Sequence, residues 1–371
     1  MSRRAELEQT IWRLDPHSTI KHLLYKHYVA CWMGKVLQRF RRAAIVDGFA
    51  GPGEYVGGAD GSPIIIAKLF QNHKLREKFN DLDLIAQEER PDRVAHLKQR
   101  LQTLPPDPKL HVEVGNAASF ADERDSIDQL AHGGDPKRPV LWILDPFRWE
   151  PAPATLVDSC LRHLRDEIVL TFFVDEVYRF LNSPPHVPAL TRYFGTDSWK
   201  KLRPLALRRD EPGCKEALID LYRRELERRS GVRTGSFSVG VKNQTPRYAL
   251  VFATHNEHGL GCWTPLTWRL DENSGQIHTM KPEQPDLFTI DVSPAEKLSE
   301  ELKVLAGREV SWAELTDLTL RRNYLEKHLR EALNLLGAAG FAIRVSPLNS
   351  RTPWPRDSVV RFYTTEDVEE A

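Results

Sequence analysis

The most constraining feature of this sequence is a glycine-rich turn that follows a short apolar run. The run ends at Val46 and is followed by the acid Asp47. Three glycines then come in quick succession: Gly48, Gly51 and Gly53. This order predicts a buried strand that enters a loop where glycines adopt φ > 0 and let backbone amides approach a ligand. Ser62 and Pro63 then provide an N-cap and a first helical position, so we expect a helix over residues 63–72.

The spacing of the glycines differs from two common nucleotide-binding signatures. It is not G-x-G-x-x-G, and no Gly-Lys-Ser/Thr follows as in a P-loop. The run Asp-Gly-Phe-Ala-Gly-Pro-Gly instead resembles the first motif of class I S-adenosylmethionine-dependent methyltransferases, in the form found in nucleic-acid methyltransferases. The resemblance implies cofactor-binding roles for Asp47, Gly48, Phe49, Ala50, Gly51 and Gly53. An ordinary tight turn in another α/β nucleotide enzyme is the alternative.

Length and charge set broad limits on the protein class. A chain of 371 residues predicts a main domain and a smaller one. Basic and acidic residues balance at 52 each, so only local clustering of charge is informative about nucleic acid. The charged first residues lack the apolar core of a signal peptide, and no apolar run approaches the ~20 residues of a membrane span. We therefore expect a cytoplasmic protein with no membrane partner.

Cysteine and histidine spacing predicts neither disulfides nor a metal site. The four cysteines lie far apart with no C-x-x-C pair: Cys31, Cys160, Cys214 and Cys262. They predict reduced thiols in a reducing compartment. His17, His22 and His27 are spaced by five residues, which puts them on different faces of a helix, so we predict no metal ligands among them.

Polar side chains follow the next two predicted strands. The second strand, over residues 82–86, is followed by Glu88 and Glu89. A carboxylate at this place accepts hydrogen bonds from both ribose hydroxyls, because both of its oxygens are acceptors when ionised. Glu88 fits this role best, Glu89 is the alternative, and acids that merely begin a helix are a third interpretation. After the third strand, Leu110–Val114, Asn116 is expected either to read the base of a ligand or to occupy a tight turn.

The fourth predicted strand, Val140–Leu144, ends in Asp145, Pro146 and Phe147. An acid, a proline and an aromatic at this place resemble the D/N-P-P-Y/F motif of amino-methyltransferases, although Phe147 replaces the second proline. The resemblance implies that these three residues are catalytic: the acid holds the target amino group while the aromatic ring stacks on the base. An exocyclic amine becomes a good nucleophile only when its hydrogens are accepted and its lone pair is aimed at the methyl group. Lys21, in a predicted N-terminal helix, is either a partner for a cofactor carboxylate or a solvated lysine.

Two later segments concern partners. Residues 200–233 carry 11 lysines and arginines against 6 acids, within a basic helical insert over about 176–240. This insert is either a phosphate-binding surface or a solvated helix with paired charges. After a strand over residues 248–255, residues 259–270 are expected to return as its hairpin partner.

The C-terminal residues 293–371 predict three helices and a two-stranded wing, which together describe a winged helix-turn-helix. Arg321, Arg322 and Asn323 are expected to open its recognition helix. The balance of 11 basic against 13 acidic residues is unfavourable for a strong DNA binder, so a protein partner is the alternative. The expected domains are an N-terminal helical segment over 1–40, an α/β domain over 41–285 with a linker at 282–285, and the winged helix.

Motifs along nearly the whole chain together resemble the three-Cys-motif partner protein family. The matching motifs are Pro-His-Ser-Thr-Ile-Lys-His, the glycine motif with Gly-Ser-Pro downstream, Asp-Pro-Phe-Arg-Trp, Phe-Phe-Val-Asp-Glu-Val-Tyr-Arg-Phe and Phe-Ala-Thr-His. This bacterial family is named for its association with a three-cysteine-motif protein that looks like a radical S-adenosylmethionine enzyme. The resemblance implies a Rossmann-like class I methyltransferase sheet, a C-terminal winged helix and S-adenosylmethionine as cofactor.

The leading hypothesis is a methyltransferase acting on DNA or RNA. Asp47 and the glycine backbone would bind the methionine end of the cofactor, Glu88 its ribose, and Asp145 and Phe147 the acceptor. A second hypothesis is a non-catalytic partner that docks on nucleic acid or on the three-cysteine-motif protein. A third is another α/β nucleotide enzyme.

Overall fold

A computed structural model describes residues 8–208, 211–240, 245–279, 292–364 and 367. The chain forms two compact units. Unit 1 comprises Met1–Leu266 with Ile277–Pro282, and unit 2 comprises Thr267–Gln276 with Glu283–Ala371. The linker expected at residues 282–285 lies outside the described residues.

Unit 1 is built on an eight-stranded sheet with the order β3-β2-β1-β4-β5-β7-β6-β8. Its strands are Arg42–Asp47 (β1), Asp81–Ala86 (β2), Leu110–Val114 (β3), Val140–Leu144 (β4), Asp166–Phe172 (β5), Arg233–Gly240 (β6), Pro246–Thr254 (β7) and Ile277–Thr279 (β8). Strands β1 to β5 pair in parallel, whereas β7 is antiparallel to both β5 and β6. The result is a mixed α/β fold with a mostly parallel central sheet, consistent with a Rossmann-like methyltransferase fold.

The sequence predictions for β1 to β4 are confirmed. Strands β3 and β4 have the bounds expected. Parallel strands covered on both faces read as continuous apolar runs, and β4 and β5 are buried at every position. Because β1 lies between β2 and β4, strand order reverses beside it. The carboxyl ends of strands at such a switch point are where open α/β sheets bind ligands.

Helices connect these strands. In chain order they are Pro16–Val36 (α1), Ser62–Gln71 (α2), Pro91–Gln102 (α3), Phe120–His132 (α4), Ala154–Ser159 (α5), Val174–Phe180 (α6), Val187–Phe194 (α7), Arg203–Leu207 (α8), Glu211–Ser230 (α9) and Glu257–Leu270 (α10). Helix α2 begins one residue earlier than expected, with Gly61 at the N-cap. The core includes fully buried Trp142, Phe172 and Tyr222. Among the described helices, none is both long enough and apolar enough to cross a membrane.

Two predictions for the second half of unit 1 are wrong. Residues 233–240, assigned to the helical insert, form strand β6, which is the true antiparallel partner of β7. Residues 259–270, expected to be that partner, belong to helix α10. A Cβ at Gly235 in β6 would lie 2.6 Å from Trp263, so this glycine lets α10 pack directly on the strand. Leu260 and Trp263, three residues apart and both buried, form the packed face.

Cys31 and Cys262 form a disulfide, so the prediction of reduced thiols is wrong for this pair. The bond joins α1 to α10 across 231 residues of sequence, a separation that no spacing rule detects. Cys160 and Cys214 are buried and take no part in a disulfide. The expectation of a reducing compartment was based on four reduced thiols. Only Cys160 and Cys214 still support it.

In the part of unit 2 that the structure describes, residues 292–364 form three helices and a small antiparallel sheet. The helices are Pro294–Leu302 (α11), Trp312–Arg321 (α12) and Glu326–Ala338 (α13), and the strands are Glu309–Ser311 (β9), Ala342–Ser346 (β10) and Val359–Phe362 (β11). The sheet order is β10-β11-β9, so the expected strand pair gains a third strand. Ser293 and Ser311 form capping boxes that fix where α11 and α12 begin.

The residues expected to open the recognition helix lie elsewhere. Arg321 is the last residue of α12, and Asn323 adopts a left-handed conformation (φ 63°) before α13 begins. Trp268 donates from Nε1 to the Asn323 carbonyl at 2.7 Å, which fixes this turn. The prediction is wrong because the preceding helix continues to Arg321, and a turn at Asn323 separates it from the helix that begins at Glu326.

Candidate functional site

Three of the predicted site segments meet at the carboxyl edge of the sheet. Asp47, the last residue of β1, lies opposite Ala86 on β2 and Ile143 on β4. The residues that follow these three strands are therefore neighbours in space. They are the glycine loop, Glu88 and the segment that begins at Asp145.

Hydrogen bonds from the neighbouring strands hold the glycine loop in place. The Gly48 amide donates to the Ile143 carbonyl at 3.0 Å, and the Ala50 amide donates to the Gln87 carbonyl at 2.8 Å. Gly51 and Gly53 have φ of 63° and 75°, a conformation that disfavours other residues. The loop therefore has the backbone that the sequence predicted for a ligand cradle.

Asp47 places a buried carboxylate beneath the loop. It is 1% exposed, and its Oδ1 accepts a hydrogen bond from the Phe49 amide at 3.2 Å. Burial raises the pKa of this carboxyl to about 7; the Ser62 hydroxyl and the Phe49 amide oppose the change. Within the described residues, Oδ2 has no hydrogen-bond partner of normal geometry. A buried acceptor without a donor is costly, so this oxygen suits a ligand that supplies one.

Glu88, and not Glu89, faces the glycine loop. Glu88 is 4% exposed and accepts a hydrogen bond from the Arg90 amide at 2.9 Å, whereas Glu89 is exposed. Burial raises the pKa of Glu88, and the Arg90 amide, the Arg93 charge and the Gly51 amide act against the change. Glu88 directly follows Gln87, whose carbonyl accepts the Ala50 amide, so this buried carboxylate lies beside the glycine loop.

Asp145 is already engaged by other side chains. Its carboxylate accepts from Lys21 Nζ at 2.8 and 2.6 Å and from the Thr171 hydroxyl at 2.7 Å. The structure thus joins two residues to which the sequence assigned separate tasks, Lys21 for the cofactor and Asp145 for the acceptor. Pro146 follows Asp145 directly and begins the turn towards Phe147.

Three tyrosines and a histidine surround this ion pair. Burial, followed by the negative charge of Asp145, raises the pKa of Tyr55 and of Tyr248 above the ordinary range of a phenol. The same causes raise the pKa of Tyr25. Burial and the adjacent Lys21 charge lower the pKa of His22 to about 4, so this imidazole is neutral at physiological pH. The ion pair of Lys21 with Asp145 is therefore surrounded by hydrogen-bonding side chains that carry no charge at physiological pH.

Phe147 packs against aromatic and cationic groups. Its ring lies 5.2 Å from the ring of Trp12 in an edge contact, and the Arg93 guanidinium lies 5.1 Å from its centroid. Trp12 also lies over the glycine loop, because a Cβ at Gly51 would be 3.5 Å from its ring. Trp12, Phe147 and the loop line a cavity of only about 40 Å³.

Asn116 lies beside this edge through its backbone. Its carbonyl accepts from Gln87 Nε2 at 2.9 Å, and the same nitrogen donates to the Ala118 carbonyl at 2.6 Å. The side chain of Asn116 is exposed. Its role in reading a base stays a prediction.

Several residues at this edge carried no signal in the sequence. Trp12 precedes the first helix, and Thr171 lies inside an apolar strand. Tyr25 lies within helix α1, with no motif around it. Arg93 is the one residue of this kind with a partial signal, because it lies in the first turn of the helix that follows Glu88.

One group of possible metal ligands occurs among the described residues, far from this edge in the chain. It consists of Asp128, His132 and His163. His132 has one ring nitrogen 3.0 Å from the buried Asp166 carboxylate and the other 3.0 Å from the Asp128 carbonyl. Its nitrogens are thus occupied by protein acceptors, and the group functions as a structural hydrogen-bond network.

Comparisons with known proteins find only slight similarity. No family model matches the chain. No curated protein matches it. Among solved structures, Trm1 from Pyrococcus horikoshii in complex with S-adenosyl-L-methionine is 12% identical with a TM-score of 0.34, over 96% of this chain and 94% of that one. A loganic acid methyltransferase with SAH is 9% identical with a TM-score of 0.23, over 97% and 100%. Scores this low do not by themselves establish a shared fold.

Proposed function

We propose that this protein binds S-adenosylmethionine at the carboxyl edge of its sheet and is a methyltransferase-like protein. The observation that supports the proposal is that the glycine loop lies beside the segment after β2, joined to it by the Ala50 amide at the Gln87 carbonyl, with the buried Glu88 next in sequence at the switch point of a mostly parallel sheet. A glycine cradle from β1 and an acid from β2 are the two groups that a nucleoside with a polar tail requires.

The residues present fit the two ends of this cofactor. The unpartnered Oδ2 of Asp47 supports a role in accepting a hydrogen bond from the α-ammonium group. A Cβ at Gly51 would meet only the Trp12 ring, at 3.5 Å, so the loop backbone has no side chain of its own on that side. The acceptor-only oxygens of Glu88 suit the two ribose hydroxyls. When bound, S-adenosylmethionine supplies an electrophilic methyl group on sulfur. Asn116 would read the adenine from the neighbouring strand end.

The acceptor role proposed for Asp145, Pro146 and Phe147 requires a change of partners. Asp145 holds an amine in the present structure, that of Lys21. An acceptor amino group that binds Asp145 takes the place of this ammonium, and Lys21 is then available for the cofactor carboxylate. This exchange links the two roles that the sequence suggested.

Nucleic acid is the acceptor class to test first, although the basic insert offers fewer charges than its composition suggests. Arg223 donates to Thr234, Arg229 donates to Asp158, and Lys215 donates to Asp175. The exposed basic side chains on this segment include Lys201, Arg208 and Arg224. These three are the positions at which phosphate binding is tested.

A second candidate function, docking without catalysis, is favoured by the ion pairs of unit 2. We propose that unit 2 is a winged helix that binds a protein, with a three-cysteine-motif protein as the expected partner. Several of its basic residues are paired with acids of the same unit, including Arg321 with Asp317 and Arg361 with Glu309. A surface of paired charges has little attraction for a polyanion.

Calorimetric titration with S-adenosylmethionine tests cofactor binding. The wild type should bind, and Glu88→Ala should weaken binding by at least about tenfold, because two charge-assisted hydrogen bonds are lost. Glu89→Ala is the matched control, since Glu89 is the exposed neighbour of Glu88. Equal affinity for wild type and Glu88→Ala would remove the ribose assignment.

Transfer of label from the methyl-labelled cofactor to bulk DNA, RNA or cell extract separates the two candidate functions. Labelled nucleic acid supports the methyltransferase. Cofactor binding without transfer to any fraction supports the docking protein.

A further inference from the structure

Residues 8–13 lie across the cleft at the carboxyl edge, and we call them the N-terminal strap. At one end, the Val56 amide donates to the Trp12 carbonyl at 2.9 Å, and Arg13 forms a parallel β-bridge with Val56. The strap is thereby attached to the loop that follows the glycine motif.

The first turn of helix α3 holds the other end of the strap. Arg90 and Arg93 donate to the carbonyls of Glu8 and Gln9 at 3.0 and 3.1 Å. The Thr10 hydroxyl donates to Asp92 at 2.6 Å. Most of these contacts lie near the surface, where hydrogen bonds exchange readily with water.

Between these two attachments, the Trp12 side chain enters the cleft. Its ring makes edge contacts with Tyr55 at 5.6 Å and Phe147 at 5.2 Å and lies above Gly51. The cavity that remains is about 40 Å³. Ligand pockets for molecules of cofactor size hold roughly 300–1,000 Å³. An adenosyl group therefore does not fit while Trp12 is in place.

Arg93 connects the strap to the acid that is expected to bind ribose. Its guanidinium lies 4.6 Å from the Trp12 ring centroid and 5.1 Å from that of Phe147. The positive charge of Arg93 also favours the ionised form of Glu88. Arg93 thus contacts the Trp12 ring of the strap and also acts through its charge on Glu88.

We propose that the N-terminal strap is an autoinhibitory element whose Trp12 ring occupies the cofactor cleft, so that the adenosyl group of the cofactor binds only when residues 8–13 are displaced. This inference rests on the proposed function. A flat adenine ring then replaces the flat indole against Phe147 and Arg93. The occupancy of the strap then sets the apparent affinity, since the measured Kd equals the intrinsic Kd divided by the fraction of open molecules.

Titration of the full chain with S-adenosylhomocysteine, in wild type and three variants, tests the strap. Trp12→Ala removes the ring from the cleft. Thr10→Val removes the hydrogen bond to Asp92 at a place outside the cleft, and Arg13→Ala is a control because that side chain is exposed. We expect Trp12→Ala to bind about tenfold more tightly than wild type, Thr10→Val to bind severalfold more tightly, and Arg13→Ala to match wild type.

The variants distinguish a Trp12 ring that blocks the cofactor cleft from a Trp12 ring that forms part of the binding site. If Trp12 were a wall that contacts the ligand, Trp12→Ala would bind more weakly and Thr10→Val would match wild type, which overturns the proposal. If the wild type and all variants bind equally, the strap has no regulatory role. If none of them binds, the cofactor assignment itself fails, which is a distinct result from the failure of the strap alone.

Limited digestion with trypsin provides an independent readout in the wild type. Cleavage after Arg13 cuts the strap where it is bridged to Val56. We expect saturating S-adenosylhomocysteine to accelerate this cut, measured as the appearance of the product that begins at Leu14, because the strap leaves its bridge. Slower cleavage with ligand would mean that the strap closes over the cofactor, and the proposal would be wrong.

Discussion

Lys21 Nζ contacts both carboxylate oxygens of Asp145, at 2.8 and 2.6 Å, and so joins the N-terminal helix α1 to the end of β4. The two side chains are only 13% and 23% exposed. Any function at this edge that uses one of these two residues therefore also affects the other. The pair therefore links the position of α1 to the chemistry available beside the glycine loop.

We predict strong energetic coupling between these two residues. Lys21→Met, Asp145→Asn and the double variant form a mutant cycle measured by urea unfolding. Because the pair is largely shielded from water and reinforced by Thr171, we expect a coupling energy of about 1–3 kcal/mol. A value below about 0.5 kcal/mol, typical of exposed pairs, would show that the contact is not maintained in solution.

Because of Asp47, the free energy of unfolding of the wild type should decrease as the pH rises. Its folded-state pKa, about 7, lies above the ordinary value of 3.8, so between these values the folded protein binds more protons than the unfolded chain. Asp47→Asn removes this contribution. The free energy of unfolding of the variant, relative to wild type, should therefore increase by about 2–3 kcal/mol between pH 5 and pH 8.

The matched control for Asp47 is Glu113→Gln, an exposed acid on the edge strand β3. The free energy of unfolding of this variant should change with pH in the same way as that of wild type across the same range. If the free energy of unfolding of Asp47→Asn also depends on pH as that of wild type does, folding does not raise the pKa of Asp47. Our description of its environment is then incorrect.

His132 is expected to stabilise the protein only while it is protonated. Burial lowers the pKa of His132, but the hydrogen bond and charge of Asp166 outweigh burial and raise it. A raised folded-state pKa contributes stability that is complete below the unfolded value of about 6.5 and is lost as the pH rises through the folded value. From pH 6 to pH 9, wild type should lose more stability than His132→Gln, whereas the exposed His111→Gln should follow wild type. Equal slopes for wild type and His132→Gln would contradict this.

The disulfide predicts a definite thiol count. Alkylation of the denatured, unreduced protein should modify two cysteines, Cys160 and Cys214, and prior reduction should raise the number to all four. Because the bond closes a long loop of the unfolded chain, Cys31→Ser should lower the free energy of unfolding by about 2–5 kcal/mol. Four modified cysteines without reduction would show that the bond is absent.

The part of the fold that was predictable is the part with the strongest local pattern. Strands such as Val140–Leu144 are continuous apolar runs because both faces of the sheet are covered. Strand β6 was missed since its small residues, among them Gly235 and Ser236, hide the alternation of buried positions. Pro265 and the glycines of α10 are unfavourable inside a helix, but the packing of Trp263 on Gly235 stabilises the helix.

The candidate site divides in the same way. Asp47 is the last residue of β1 and Glu88 comes two residues after the end of β2, so their place at the sheet edge followed from topology alone. The ion pair of Lys21 with Asp145 and the insertion of Trp12 depend on how the N-terminal residues return to that edge. Contacts between segments so distant in sequence leave no periodic or local signal.

The most direct test of this account is a crystal structure with S-adenosylhomocysteine. We predict that the ligand lies between the loop Asp47–Gly53 and Glu88, with its ribose hydroxyls on the Glu88 carboxylate and Trp12 withdrawn from the cleft. A structure in which the ligand binds elsewhere, while Trp12 still covers Gly51, would contradict the central claim.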